Sequence, residues 1–401
     1  MPFFLPDGYF GYYSAAKDPA QNGIWIAPVE TPASASQILR TNDAAQYSSG
    51  YLFFIRDDTL LAQRLDDRHK LAGDPVPVTD SVATSGSGFT ALPAVSVSRD
   101  GSIVARRTRP AIAELTWLSR TGQRVESLGI PPGPISHLEL SPEGSHLAYQ
   151  VGGRYAGELW TFDLARHTGS RASIQGAGVL APLWFPNGDR LVVSSTRGVS
   201  GNSNLYEMAP EGGTLTPLVE TPAGLIAIGW TVDRRLCFAQ AVAPPPAVIQ
   251  LLDSDRRPAL YFDPHSNIAT ARVSPDGQAI AYTSNQSGRP EVYLIAYPSP
   301  GPVKKVSTQG GSQPRWRADS RELFYLAPEG RLMSLPVRHE GTAWNLGVPV
   351  PLVTVRTTAT DTSQYQYDVA RDGSGFLVAI ERLARSDSLI VVRNWASQHH
   401  Q

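Results

Sequence analysis

Apolar positions along this chain alternate with a period of two, and turns rich in Gly, Pro, Asp and Ser interrupt the alternation every dozen residues or so. In the stretch "ARVSPDGQAIAYTSNQSGRPEVYLIAYP", residues 271–298, Ile280 and Tyr282 share one side of a strand. In the next strand Val292, Leu294 and Ala296 share one side, and Tyr293, Ile295 and Tyr297 the other. Strands that are apolar on both faces must be covered on both. The turn between them has its own logic. Pro275 presets φ near −65°, Asp276 can bond its own backbone, and Gly277 accepts the positive φ that closes the bend.

The same unit recurs along the chain. Its hinges are "LPDG" at Leu5, "YSSG" at Tyr47, "SRDG" at Ser98, "SPEG" at Ser141, "FPNG" at Phe185, a degenerate "TVDR" at Thr231, "SPDG" at Ser274, "RADS" at Arg317 and "ARDG" at Ala370. Their spacing, roughly 43 to 53 residues, lies in the range of solenoids and propellers. One short apolar segment precedes a hinge ("APLWF", "QPRW"), two follow it ("RLVVSS", "NLYEM"), and a fourth closes several units ("TPLV", "VPLV"). Four short strands per repeat is the pattern of a propeller blade, whose two apolar faces are buried only between copies of itself. The expectation is an all-β fold without substantial helix: a single β-propeller of about eight to nine four-stranded blades over residues 1–401. The units run near 2–40, 44–79, 89–129, 135–174, 179–220, 225–262, 268–308, 312–355 and 364–395. The last lacks an outer strand after "LIVVRNW", which leaves ring closure open.

Composition changes the picture little. The 33 prolines and 35 glycines fit a chain of many turns. A formal charge of −1 gives no bulk electrostatic case for nucleic acid or an anionic membrane. No apolar run approaches the roughly 20 residues that span a bilayer. The opening "MPFFLPDGYFGYYSA" lacks a basic region and already contains a hinge, so it reads as the first blade rather than a signal peptide. The single cysteine, Cys237, reads as a small buried hydrophobe.

Candidate chemistry is thin. The chain contains no G-x-S-x-G elbow, P-loop, H-E-x-x-H helix or cysteine pairs for zinc, and neither a cofactor nor a metal is expected. His69, His137, His146, His167, His265 and His339 are scattered, and His399 and His400 read as a solvated tail. Asp7, Asp100, Glu143, Asp276 and Asp372 have a structural task in the hinges. More telling is a column just before each hinge, on the innermost strand: Ser96, Glu139, Leu183, Gly229, Arg272, Arg315 and Asp368. Each is followed by an apolar residue, among them Trp184, Trp230 and Trp316, expected between blades. His137, Gln313 and Gln366 lie further up the same strands. Arg272, Arg315, Asp368, Glu139, His137, Gln313 and Gln366 are therefore the candidate channel residues, with two readings: ion pairs that hold the ring, or a site for an acidic ligand.

These hinge-plus-strand units resemble the WD40-like PD40 repeats of TolB-type propellers. The run "SPDGQAIAYTSNQSGRPEVYLIAYPSPG", then "QPRWRADSRELFYLAPEGRLMSLPV", "YDVARDG" and "VVRNW", is similar to the C-terminal propeller of bacterial membrane-anchored serine/threonine protein kinases. The resemblance extends from about Phe4 to Trp395. It implies a non-enzymatic sensor or interaction module, with a protein partner or small ligand at the channel mouth and an extracytoplasmic location if joined to such a kinase. The chain itself has no glycine-rich loop with a partner lysine, no H-R-D and no D-F-G, so phosphoryl transfer is excluded. The alternative implied by TolB-like propellers is a channel-mouth enzyme of polysaccharide-lyase or hydrolase type. The lid of a prolyl-oligopeptidase-type enzyme is a third class, without its nucleophilic half here.

Overall fold

The computed structural model describes residues 2–14, 21–41, 44–56, 59–80, 82, 84–85, 92–99, 101–109, 111–152, 157–173, 178–196, 203–241, 247–253, 255–340, 343–358, 363–383, 386–393 and 395. Strands and turns dominate, with short 3-10 turns such as Pro6–Gly8 and Pro328–Gly330. No helix among the described residues is long and apolar enough to cross a membrane. The chain is an all-β propeller whose strands fall into two compact units, residues 111–384 and residues 1–110 with 385–401.

In the unit 111–384 each blade is an antiparallel sheet, and in all but the last the strands follow chain order from the axis outward. The inner strands are Ile135–Leu140, Val179–Trp184, Leu225–Trp230, Ile268–Val273, Ser312–Trp316 and Tyr367–Val369, and they define blades 1 to 6. Each inner strand touches the next, and Tyr367–Val369 touches Ile135–Leu140, so the circuit is closed by six blades. The two-faced apolar strands are covered as their pattern requires: every residue of Ala279–Ser284 is buried, and blades 3 and 4 share a core of Ile249, Ile280, Tyr282 and Tyr293.

Closure uses both ends of the unit. In blade 6, Tyr367–Val369 and Gly375–Leu383 come from its C-terminal end, and Ile112–Ser119 and Arg124–Ser127 from its N-terminal end. The pairing of Ile112–Ser119 with Gly375–Leu383 turns two free edges into one continuous sheet. This corrects two sequence expectations. The closed ring has six blades within 111–384 rather than eight or nine over 1–401. The units 89–129 and 364–395 also do not form separate sheets. Segment 112–127 joins 367–383 in blade 6, whereas Ile103–Arg109 pairs with Ser386–Val392 in the other unit. Strand pairing between distant segments carries no local sequence signal.

Hinges and tryptophans lock neighbouring blades. Gly277, at φ +71, lies against the hinge of blade 3, where an added Cβ would fall 2.1 Å from the Val232 nitrogen. The Val232 N–H donates to the Gly277 carbonyl at 3.1 Å. Asp276 does the expected work inside the turn, accepting the Gln278 N–H at 3.1 Å. Asp100 lies outside the described residues. Trp184 donates its indole N–H to the Glu139 carbonyl of the preceding blade at 3.0 Å, Trp230 to the Trp184 carbonyl at 3.0 Å, and Trp316 to the Arg272 carbonyl at 3.3 Å. Trp184 and Trp316 are buried as expected, whereas Trp230 is half-buried because one side faces a groove shared with Phe185.

The other unit holds two four-stranded sheets, starting at Phe3–Phe4 and Gln46–Ser48, and a three-stranded sheet of Val95–Val97, Ile103–Arg109 and Ser386–Val392. Tyr51, Phe53, Ile103 and Trp395 form one of its cores.

Candidate binding site in the channel

The inner strands of blades 1 to 5 each carry a bulge at the same level, where pairing with the second strand slips between Ser136 and Glu139, Leu180 and Leu183, Ala227 and Gly229, Ile268 and Ala271, and Ser312 and Arg315. Within these bulges His137, Ala181 and Gln313 adopt left-handed φ values of 53°, 50° and 56°. A bulge re-aims the side chains that follow it. The long polar members of the predicted column thereby meet at the axis.

Glu139 of blade 1 is the hub. Its Oε2 accepts from Arg272 Nη2 of blade 4, directly opposite, at 2.7 Å and from Arg315 Nη1 of blade 5 at 2.6 Å. Arg315 Nη2 also donates to the Leu138 carbonyl, and its Nε lies 3.5 Å from Asp368 Oδ1 of blade 6. Asp368 accepts the backbone N–H of Leu140 at 2.7 Å and of Val369 at 2.8 Å. Leu183 packs into the core between blades 2 and 3, and Gly229 has no side chain, so that side of the ring leaves the axis to the Arg272 guanidinium. All four charged residues are buried. Arg272 and Arg315 do face the channel from adjacent blades, but their positive character is offset by Glu139 and Asp368. The ion-pair reading is thus realised in the geometry.

The remaining candidates divide. Gln313 and Gln366 stitch blades together: Gln313 N–H donates to Thr270 Oγ1 at 3.2 Å, Gln313 Oε1 accepts the Gln366 N–H at 2.7 Å, and Gln366 Oε1 accepts from the Thr358 hydroxyl at 2.7 Å. His137 instead lines a small cavity of about 30 Å³ with Thr270, Arg272, Ser363 and Tyr365. That is room for more than a single water. The cavity lies toward the starting ends of the inner strands, away from the hinges.

Sequence reasoning missed Tyr365. Its ring lies against both guanidinium groups, their carbons 4.2 Å (Arg272) and 4.0 Å (Arg315) from its centroid, a pair of cation–π contacts in a desolvated centre. It precedes the blade 6 strand, where an alternating Gln-Tyr-Gln-Tyr run gives no hint of which aromatic turns inward. Among the described residues no cluster of three or more His, Cys, Asp or Glu could hold a metal. His69 and His339 stack on Tyr9 and Trp344, while His146, half-buried at the start of a strand, and His167 and His265, in exposed turns, lie beside carboxylates. His399 and His400 are outside the described residues.

The two carboxylates respond differently to burial. Burial works to raise Glu139, but its two arginines outweigh this and hold it below the ordinary range. Asp368 is pushed up to about 6, by burial first and by the Glu139 charge, because Arg315 is its one charged partner and is more distant. A proton held more tightly in the folded state stabilises it on acidification. The Asp368 contribution is full below its ordinary value of 3.8 and is lost as pH rises to about 6. Glu139 has the opposite sign, its contribution being lost as pH falls below its ordinary 4.5. Between pH 7 and pH 5 the thermal midpoint of the native chain should therefore rise relative to that of Asp368→Asn. A constant gap between the two curves would show that Asp368 does not titrate in this window.

The sequence matches no family model and no curated protein. Solved structures are similar to it in fold. A TolB-like protein of Agrobacterium tumefaciens covers 68% of this chain and 99% of its own, at 15% identity and a TM-score of 0.52. In fold, the chain is similar to that β-propeller. TolB of Acinetobacter baumannii covers 65% of this chain and 66% of its own, at 14% identity and a TM-score of 0.43. A puromycin hydrolase covers 84% and 58%, at 14% identity and a TM-score of 0.38. At 15% identity the likeness to the Agrobacterium protein is one of fold alone. The site chemistry of this chain rests on its own residues.

Proposed function

We propose that this TolB-like propeller is a non-catalytic binding module that receives a carboxylate of its ligand at the channel mouth beside Arg272. One observation carries this reading: the buried Arg272 Nε has no hydrogen-bond partner among the described residues, and Arg272 lines the cavity. The Tyr365 hydroxyl, on the same cavity, is likewise unpartnered, and Thr270 and His137 complete a polar rim. Buried donors without acceptors are costly, and an incoming acceptor satisfies them. The Glu139 hub and the Tyr365 ring hold the guanidinium in place, so little side-chain ordering is needed on binding. A sensor or docking role in a signalling protein, with a small ligand or a protein partner at this mouth, is the wider reading that the kinase-propeller resemblance supports.

The test is a thermal-shift titration of the intact chain with acetate, succinate and glutamate against chloride at equal ionic strength. Carboxylates should raise the midpoint in a saturable way. Tyr365→Phe, which keeps the ring and loses the hydroxyl, should weaken the effect several-fold while the fold stays intact. Identical shifts with chloride, or an unchanged response in Tyr365→Phe, would remove the site.

A further inference from the structure

A second feature lies at the hinge side of the ring, between blades 2 and 3, where an open groove of about 690 Å³ is floored by Phe185 and Trp230, their ring centroids 4.6 Å apart. The degenerate hinge of blade 3 places Arg234 on this groove at φ 61, where most hinges use glycine. The turn between Ala247–Leu252 and Pro258–Phe262 of the same blade places Arg256 on it at φ 59. Glycine takes this left-handed conformation freely, whereas a residue with a Cβ is strained in it. Among the described residues these are the arginines with left-handed φ, and they converge on one groove.

Its charges are not balanced internally. Arg190 is held by Glu207 at 3.1 Å and lies over the Phe185 ring. Asp233 accepts the Tyr297 hydroxyl at 2.8 Å on each oxygen, and Asp253 caps its own turn through the N–H groups of Asp255 and Arg257. Arg235 donates Nε–H to the Leu252 carbonyl at 3.4 Å. Arg234 and Arg256 have no side-chain partner among the described residues. We infer that this groove is a docking site for an acidic peptide segment bearing an aromatic or large apolar side chain: carboxylates pair with Arg234 and Arg256, and the apolar group lies on Trp230 and Phe185. Paired guanidinium groups around an aromatic floor suit that chemistry, since the forks grip carboxylates bidentately and the rings accept flat apolar groups.

The experiment is calorimetric titration of the intact chain with acetyl-Asp-Glu-Phe-Glu-Asp-amide, with acetyl-Asn-Gln-Phe-Gln-Asn-amide and inorganic phosphate as controls. The acidic peptide should bind with a Kd below about 1 mM, more weakly as salt is added, and the neutral peptide at least tenfold more weakly. The double variant Arg234→Glu/Arg256→Glu should lose at least tenfold. Arg234→Gly should weaken binding several-fold while raising the thermal midpoint, because glycine relieves the turn. Tyr365→Phe, which alters the channel alone, should leave this binding unchanged, so the two sites stand or fall separately. No binding at millimolar peptide, equal binding of the neutral peptide, phosphate binding as tightly as the peptide, or indifference to the double charge reversal would each overturn the assignment.

Discussion

Glu139→Gln is expected to lower the unfolding free energy by about 3–5 kcal/mol, the range for removing one member of a buried ion cluster. Glutamine keeps the shape and one acceptor oxygen, but it leaves Arg272 and Arg315 together against the Tyr365 ring with Asp368 as the remaining counter-charge. Two cations desolvated in this way cannot turn to water without opening the ring. Urea unfolding followed by circular dichroism reads the change as a lower midpoint with an unchanged slope. Replacing Glu139, Arg272 and Arg315 together with leucine, methionine and methionine should recover much of the loss, since exchanging a whole buried cluster for apolar groups is often neutral or better. A loss below about 1 kcal/mol for Glu139→Gln, the size of a surface pair, would mean that water reaches the hub and that the cluster does not hold the ring.

Trp316→Ala should have a comparable effect, about 3–5 kcal/mol for truncating a buried aromatic. Trp316 sits in the core that joins blades 4 and 5, among Ala281, Leu294, Leu323 and Leu335, and its indole N–H ties blade 5 to the Arg272 carbonyl. Both contributions act on the same seam. Trp316→Phe separates them: it keeps most of the apolar contact and leaves that carbonyl unpaired, which should cost roughly 1–3 kcal/mol. Wild-type stability for the alanine variant would place the side chain in solvent, contrary to its 8% exposure.

The parts of this protein that were legible in its sequence are those set by neighbours in the chain. Pro275, Asp276 and Gly277 make a turn because of their own backbone preferences, and the alternation in residues 279–284 and 291–296 makes strands that need cover on both faces. Repetition then places equivalent residues at equivalent radii. Hence Glu139, Arg272, Arg315 and Asp368 could be assigned to one level of the channel from their offset to the hinge alone. The tertiary structure decided what depends on contacts between distant segments. Strands 112–119 and 375–383 look like any other two strands, and their pairing alone closes the ring at six blades. That Arg272 reaches the carboxylate opposite, that Tyr365 rather than Tyr367 lies under both arginines, and that Arg234 and Arg256 share a groove depend on bulges and on the radial packing of blades. These features are set by the geometry of closure, which no single repeat carries.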